Sequence, residues 1–140
     1  MPVMLPQKIH LEIVTPERRV LARDVDEVVL PGALGSFGVL PGHAPMLAGL
    51  APGVAQVRTG ARQEILAIGR GFAEVQPNRV TVMAESAERL EEIDLERARQ
   101  KVAEVEQAML GEHAQGELEA LHLRLQKHQA RLVAAQRSSS

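Results

Sequence analysis

The sequence contains no cysteine, no tryptophan and no tyrosine, and its two aromatic residues are Phe37 and Phe72. Without cysteine there is no disulfide framework, no thiolate metal site and no cysteine nucleophile. A reducing, cytoplasmic compartment fits that usage. Without aromatic clusters the stacking platforms that read single-stranded nucleic acid are missing. Basic excess is absent too: 16 Lys and Arg against 18 Asp and Glu give a formal charge of −2. A nucleic-acid backbone therefore finds no global attraction. No apolar run approaches the roughly 20 residues that span a bilayer. The start, MPVMLPQKIH, lacks the basic segment ahead of an apolar stretch that marks a signal peptide. What remains is an ordinary globular composition, 45% hydrophobic and 24% charged over 140 residues. That length suits one domain, or one small domain with an appendage.

The chain has two textures. All 8 prolines lie at or before Pro77, and all but Gly111 and Gly116 of the 11 glycines lie at or before Gly71. Beyond them the chain turns to Ala, Glu, Arg, Leu and Gln. The acids outnumber the bases only from Glu85 onward. This shift divides the chain into a domain over 1–84, a linker over 85–93, a helical part over 94–137 and a disordered tail over 138–140.

The first part reads as short strands. Lys8 to Val14 alternates, with Ile9, Leu11 and Ile13 on one face, which is the period of a half-buried strand. Thr15-Pro16-Glu17 predicts a turn. Val25–Leu30 is a second run, ended by Pro31-Gly32. Val54–Val57 and Glu64–Ile68 follow. Phe72–Val75 and Val80–Ala84 are spaced for a hairpin with a four-residue loop, Gln76 to Arg79. Many short strands with Gly/Pro punctuation predict an all-β sandwich or barrel.

The second part reads as two helices. Asp94 is placed to N-cap the first. Its stripe runs through Leu95, Ala98, Val102, Val105 and Met109. Gly111 and Gly116 bracket a break, and a second stripe follows through Leu118, Leu121, Leu125, His128 and Leu132. The short connection predicts an antiparallel hairpin. Helices of this length depend on burying their stripes, so the hairpin must lean on the β domain or on a partner chain.

Self-contained chemistry is not in evidence. Gly38-Val39-Leu40-Pro41-Gly42-His43 supplies neither the lysine nor the hydroxyl of a P-loop. Gly69-Arg70-Gly71 lacks the third glycine of a dinucleotide fingerprint. The five histidines hold no i, i+4 pair of the zinc-protease kind. Ser36, in Gly35-Ser36-Phe37-Gly38, is not in a nucleophile elbow. Glu91 and Glu92 suit a solvated linker better than an acid/base pair. A non-catalytic role follows, and a free-standing adaptor presenting its hairpin to some assembly would satisfy it.

One block goes further. Gly35-Ser36-Phe37-Gly38-Val39-Leu40-Pro41-Gly42-His43-Ala44-Pro45-Met46-Leu47 resembles the G-x-x-G-[IV]-L-P-G-H-A-P-L-L hallmark of the epsilon subunit of F-type ATP synthases. Ile13-Val14-Thr15-Pro16-Glu17 is similar to that family's early V-T-P turn. Gly71-Phe72-Ala73-Glu74-Val75 with Asn78-Arg79-Val80-Thr81-Val82 is similar to its G-G-F-x-E-V…x-V-T-[IV]-L stretch, Arg70 standing where the first glycine is common. Ile93-Asp94-Leu95-Glu96-Arg97-Ala98 resembles the [IL]-D-x-x-R-A motif that opens its C-terminal hairpin.

The resemblance implies about ten strands in a sandwich, followed by a two-helix hairpin. It implies a non-catalytic rotor subunit of the central stalk, coupling proton-driven rotation to ATP synthesis. The β domain would bind the gamma subunit and the c-ring, attaching the chain peripherally to the cytoplasmic face of the bacterial inner membrane. Ser36, Leu40, His43 and Met46 would belong to that surface, although many relatives carry Glu at the position of Ser36. The hairpin would either fold onto the β domain or extend into the alpha/beta hexamer and hinder ATP hydrolysis. Two packings a few kcal/mol apart suffice for such a switch. The exposed bases Arg124, Lys127, Arg131 and Arg137 would then meet acidic surface on the catalytic subunit. No cofactor is required, but some members bind regulatory ATP on the folded hairpin. The matching positions are Glu88, Ile93, Asp94, Arg97, Ala98 and Arg131, while Glu104 and Ala120 stand where strong binders carry cations.

Overall fold

The computed structural model describes residues 6–138, and in it the first strand does what its period demands. β1 (Ile9–Val14) buries Ile9, Leu11 and Ile13 completely and leaves His10, Glu12 and Val14 partly exposed. Nine further strands follow: β2 (Arg19–Val25), β3 (Glu27–Gly32), β4 (Gly35–Val39), β5 (Met46–Leu50), β6 (Gly53–Thr59), β7 (Arg62–Ile68), β8 (Gly71–Gln76), β9 (Arg79–Ala84) and β10 (Ala87–Arg89). They pair in the order β10-β7-β6-β3-β5-β8-β9-β1-β2, with β4 hung on β3. All neighbours are antiparallel except β1 and β9, which run parallel with Leu11 opposite Val80 and Ile13 opposite Val82.

This path curls into a ten-stranded sandwich, close to a barrel, around Leu11, Val28, Leu30, Val57, Leu66, Val75 and Val80. Its two ends meet through side chains. Arg89 on β10 donates to the carbonyl of Val20 on β2 at 2.6 Å, and Arg23 on β2 lies 2.7 Å from Glu64 on β7.

Three local expectations change. The run Val25–Leu30 is not one strand, because the chain breaks at Asp26 between β2 and β3. The Asp26 carboxylate holds that corner by accepting from Lys8 and from the Gly60 N–H at 2.5 Å. The β8–β9 loop is shorter than four residues: Gln76 pairs with Arg79, leaving Pro77-Asn78 as a two-residue turn. The Gly/Pro-rich stretch after Pro31, to which the sequence pattern assigns no strand, yields β4 and β5. Gly71 shows why glycine is needed where β8 meets β9: a Cβ there would lie 2.0 Å from the Met83 carbonyl oxygen.

Residues 85–93 run along the sandwich edge. β10 pairs with β7, with Ala87 opposite Ile68. A 3-10 turn, Leu90–Glu92, follows; Glu92 accepts from the Arg89 N–H at 3.0 Å and from Arg18 at 2.6 Å. Then come α1 (Leu95–Ala108) and α2 (Glu117–Ser138). Asp94 caps α1 as its sequence position demands, accepting from the Arg97 N–H at 3.1 Å. Gly111 and Gly116 turn the connection with φ of 91° and 89°. Ser138 closes α2, while Ser139 and Ser140 of the expected tail, like the first five residues of the leader reading, lie outside the described residues.

The helices form a stack. α2 lies on β6 and β7, and α1 packs on α2. At 100° per residue, Leu121, Leu125, His128 and Leu132 share one face of α2, whereas Ala130 and Ala134 lie opposite. The leucine face meets α1. The alanines are buried against Val54 of β6 and Ala67 of β7.

Candidate functional site

Two surfaces carry the candidate residues: the seam under the hairpin, and the outer skin of the sandwich. At the seam Val54, Ala67, Ala130 and Ala134 are buried, flanked by Ile65, Leu90 and Ile93. These are small side chains, so the hydrophobic gain per contact is modest. The polar tie beside them is stronger in geometry. Arg131 donates through Nη2 to Glu88 Oε2 at 3.0 Å, and its Nε lies 2.9 Å from Oε1. Both side chains are largely covered, with 12% and 25% of their surface exposed. Arg131 Nη1 also sits 3.4 Å from His128 Nδ1.

The six residues matched to a nucleotide site divide between structural tasks. Glu88 and Arg131 come together as an ion pair, and Ile93 joins the seam. Asp94 is occupied as the cap of α1, and Ala98 is completely buried. Arg97 is exposed. Arg131 also departs from its expected place among exposed bases, because Glu88 covers and neutralises it. Arg124 and Lys127 are exposed as expected, and no carboxylate pairs with either among the described residues.

Leu40 and His43 lie on the loop between β4 and β5, at the end of the sandwich marked by the β8–β9 turn; Gly42 N–H donates to the Pro77 carbonyl at 2.7 Å. Leu40 is exposed, and His43 is partly covered with its Nδ1 2.7 Å from the Ala44 carbonyl oxygen. Ser36 and Met46 share a shallow concavity of about 390 Å³ with Leu34, Phe37 and Leu47. Ser36 also borders the crevice between the sandwich and α2, opposite Gln129 and Val133.

Sequence reasoning missed the outer face of β5, β8, β9 and β1. Phe72 stands opposite Met83, and Met83 opposite Val14, so the three form one row across the sheet. Leu47 lies on the same face, two residues along from Gly49, the partner of Phe72. Leu47, Phe72 and Met83 are 69%, 56% and 43% exposed. An open groove of about 730 Å³ runs beside them, lined by Val14, Pro16, Phe72 and Met83, with the Arg70–Glu85 pair at its rim. The signal was present in the pattern: apolar residues occupied outward positions of strands whose inward positions were already apolar.

Among the described residues no three His, Asp or Glu side chains converge on a possible metal position. A family model of the ATP synthase delta/epsilon chain β-sandwich domain matches residues 8–90. An ATP synthase epsilon chain of Geotalea uraniireducens is 46% identical over 105 residues, covering 75% of this chain and 76% of that one. One from Nitratidesulfovibrio vulgaris is 52% identical over 95 residues, 68% of this chain and 71% of that one. In fold, a chain of the Euglena gracilis mitochondrial ATP synthase superposes with a TM-score of 0.83 at 24% identity, covering 94% of this chain and 84% of that one. A β-sandwich bearing a helical hairpin, matched at this identity over most of its length, belongs to the ATP synthase epsilon chain family.

Proposed function

We propose that the chain is a non-catalytic rotor subunit of the central stalk in a bacterial F-type ATP synthase. The observation that carries this reading is its 46% and 52% identity to chains named ATP synthase epsilon chain. In this role the sandwich clamps the gamma subunit, for which the row Val14, Phe72 and Met83 with Leu47 offers an apolar face. The end bearing Leu40, His43 and Met46, with Ser36 alongside, rests on the polar loops of the c-ring. Together these contacts couple proton-driven rotation to ATP synthesis. They also keep the chain at the cytoplasmic face of the inner membrane; no described helix is long and apolar enough to cross one.

The hairpin acts as a mobile regulator. Docked, it covers the β6–β7 face; extended, it presents Arg124 and Lys127 to acidic surface of the alpha/beta hexamer and slows ATP hydrolysis. A seam of small side chains and one ion pair fits an arm that leaves and returns. ATP, as a regulatory ligand and not a required cofactor, would engage Glu88, Ile93, Asp94, Arg97, Ala98 and Arg131. Glu88 already neutralises Arg131, so a phosphate must displace that carboxylate, and Arg97 supplies the open positive charge. Titration calorimetry of the chain with ATP, beside Arg97→Ala, tests this ligand.

The experiment for the whole reading is capture of gamma, followed by ATPase measurement on the reconstituted complex. The truncated partner ends at Glu92, because β10 and the following turn are part of the sandwich edge. Retained capture and coupling with raised hydrolysis is the expected result. Failure of the parent chain to capture gamma overturns the assignment, and Phe72→Asp with Met83→Asp checks the face.

A further inference from the structure

His128 occupies the α1-facing side of α2, partly buried, next to the guanidinium that grips the sandwich. One arginine is thus shared between a hairpin histidine and the Glu88 carboxylate of β10. The other charges facing His128 are positive: Lys127 and Arg124 on its own helix, and Lys101 from α1. Lys101 pairs with Glu104, 3.5 Å away on α1. Most charges on the elements beneath α2 are engaged elsewhere, while Glu91 of the 3-10 turn lines a crevice with Arg137 near the end of α2. Arg58 of β6 faces Asp26 and Glu27, Glu64 of β7 faces Arg23 and Arg62, and Glu92 of the 3-10 turn faces Arg18.

We propose that Glu88, Arg131 and His128 form an acid-sensitive latch, which holds α2 on the sandwich while His128 is neutral and frees it when His128 takes up a proton. The neutral ring offers Nδ1 as an acceptor for the Arg131 N–H. The protonated ring has no acceptor, and it sets a positive charge 3.4 Å from Arg131. Glu88 then faces a guanidinium that is repelled from behind. Burial, with Arg131, Lys127, Arg124 and Lys101 adding in that order, holds the docked His128 below its ordinary value of 6.5.

The direction follows from linkage. A base whose pKa is depressed in the docked form binds fewer protons there than when released. Docking is therefore fully supported above the released value and weakens as pH falls below it. For one proton, the released-to-docked ratio rises by at most about tenfold per pH unit through that window. The latch rests on the geometry of this chain alone; its bearing on ATP hydrolysis rests on the rotor reading, and the two fail separately.

The absence of cysteine makes the test direct. Dyes placed on the full chain through Ala61→Cys, in the β6–β7 turn, and Gln115→Cys, in the helix connection, report hairpin position by energy transfer. Between pH 7.5 and pH 5.5 the parent chain should shift toward the released distance, while circular dichroism keeps its helical signal. His128→Gln, which retains a neutral acceptor, should stay docked throughout. His128→Lys should be released already at pH 7.5. His122→Gln, changing the exposed histidine of α2, should titrate like the parent. A parent chain that does not titrate, a His128→Gln chain that titrates like it, or a docked His128→Lys chain overturns the latch.

Discussion

Arg89 Nη2 donates to the carbonyl oxygen of Val20 at 2.6 Å, joining β10 to β2, the two extremes of the strand path. The donor is charged and partly buried, which places such a bond at about 1.5–3 kcal/mol. Replacing Arg89 with Met keeps the apolar stem and removes the donor. The expected result is a lower urea midpoint by that amount of stability with an unchanged slope. A midpoint equal to the parent's shows that the sandwich closes without this tie.

The seam makes a second prediction. Ala134 is completely buried between α2 and the sandwich, so Ala134→Leu forces atoms into filled space. Overpacking of this kind costs about 1–3 kcal/mol. The loss should appear as faster amide exchange in α2, with the protection of β1 and β9 unchanged. Equal loss in both places argues that hairpin and sandwich unfold as one unit.

Acid stability is the third. Glu92 ionises more readily than an ordinary glutamate, first because the Arg89 N–H bonds its carboxylate and then because Arg18 does. Asp26 is lowered likewise, led by Lys8 and then by the Gly60 N–H. A depressed carboxyl lends stability that is complete above its unfolded value and drains away as pH falls through its folded value. Glu92→Gln should therefore be less stable than the parent at neutral pH, and the gap should close as pH falls past the ordinary glutamate value of 4.5 and on through the lower folded one. A gap that is constant with pH would mean that lost packing, rather than lost charge, is responsible.

The fourth concerns the two open bases of α2. Arg124→Glu with Lys127→Glu is expected to leave gamma capture intact and to relieve inhibition of ATP hydrolysis by several-fold, each rim charge being worth roughly 0.2–1 kcal/mol. Unaltered ATPase in the reconstituted complex removes these residues from the regulatory surface.

Much of this fold was legible in the residues, and the exceptions have physical causes. The alternation of Ile9, Leu11 and Ile13 announced β1, and Asp94 announced the start of α1. β2 was hidden because a register shift beside Ile13 and Val14 puts the adjacent residues Val20 and Leu21 both inside, destroying the period. β4 and β5 were hidden because Gly35, Gly38 and Gly49 leave gaps in the side-chain alternation and most of the remaining positions are exposed or only partly covered, so no face is marked. The leucine stripe of α2 pointed to one buried face, yet Ala130 and Ala134 form a second that carries the sandwich contact. Alanine is both a core residue and a good helix former, so its burial leaves no mark in a hydrophobic pattern. The Glu88–Arg131 pair spans 43 residues, a distance at which spacing rules say nothing.

Because Arg18 and Val20 keep hold of the chain through Glu92, the joint between sandwich and arm falls on the pair Ile93-Asp94. At 1.5 Å per residue α1 is a rod of about 21 Å and α2 one of about 33 Å. Straightened at Gly111 and Gly116, the two with their eight-residue connection would carry the far end of α2 roughly 65 Å from that joint, at the same rise per residue. In an arm that swings, a short wrist would govern a long stride, and the stiffness of two residues would set how accurately the distant tip is aimed.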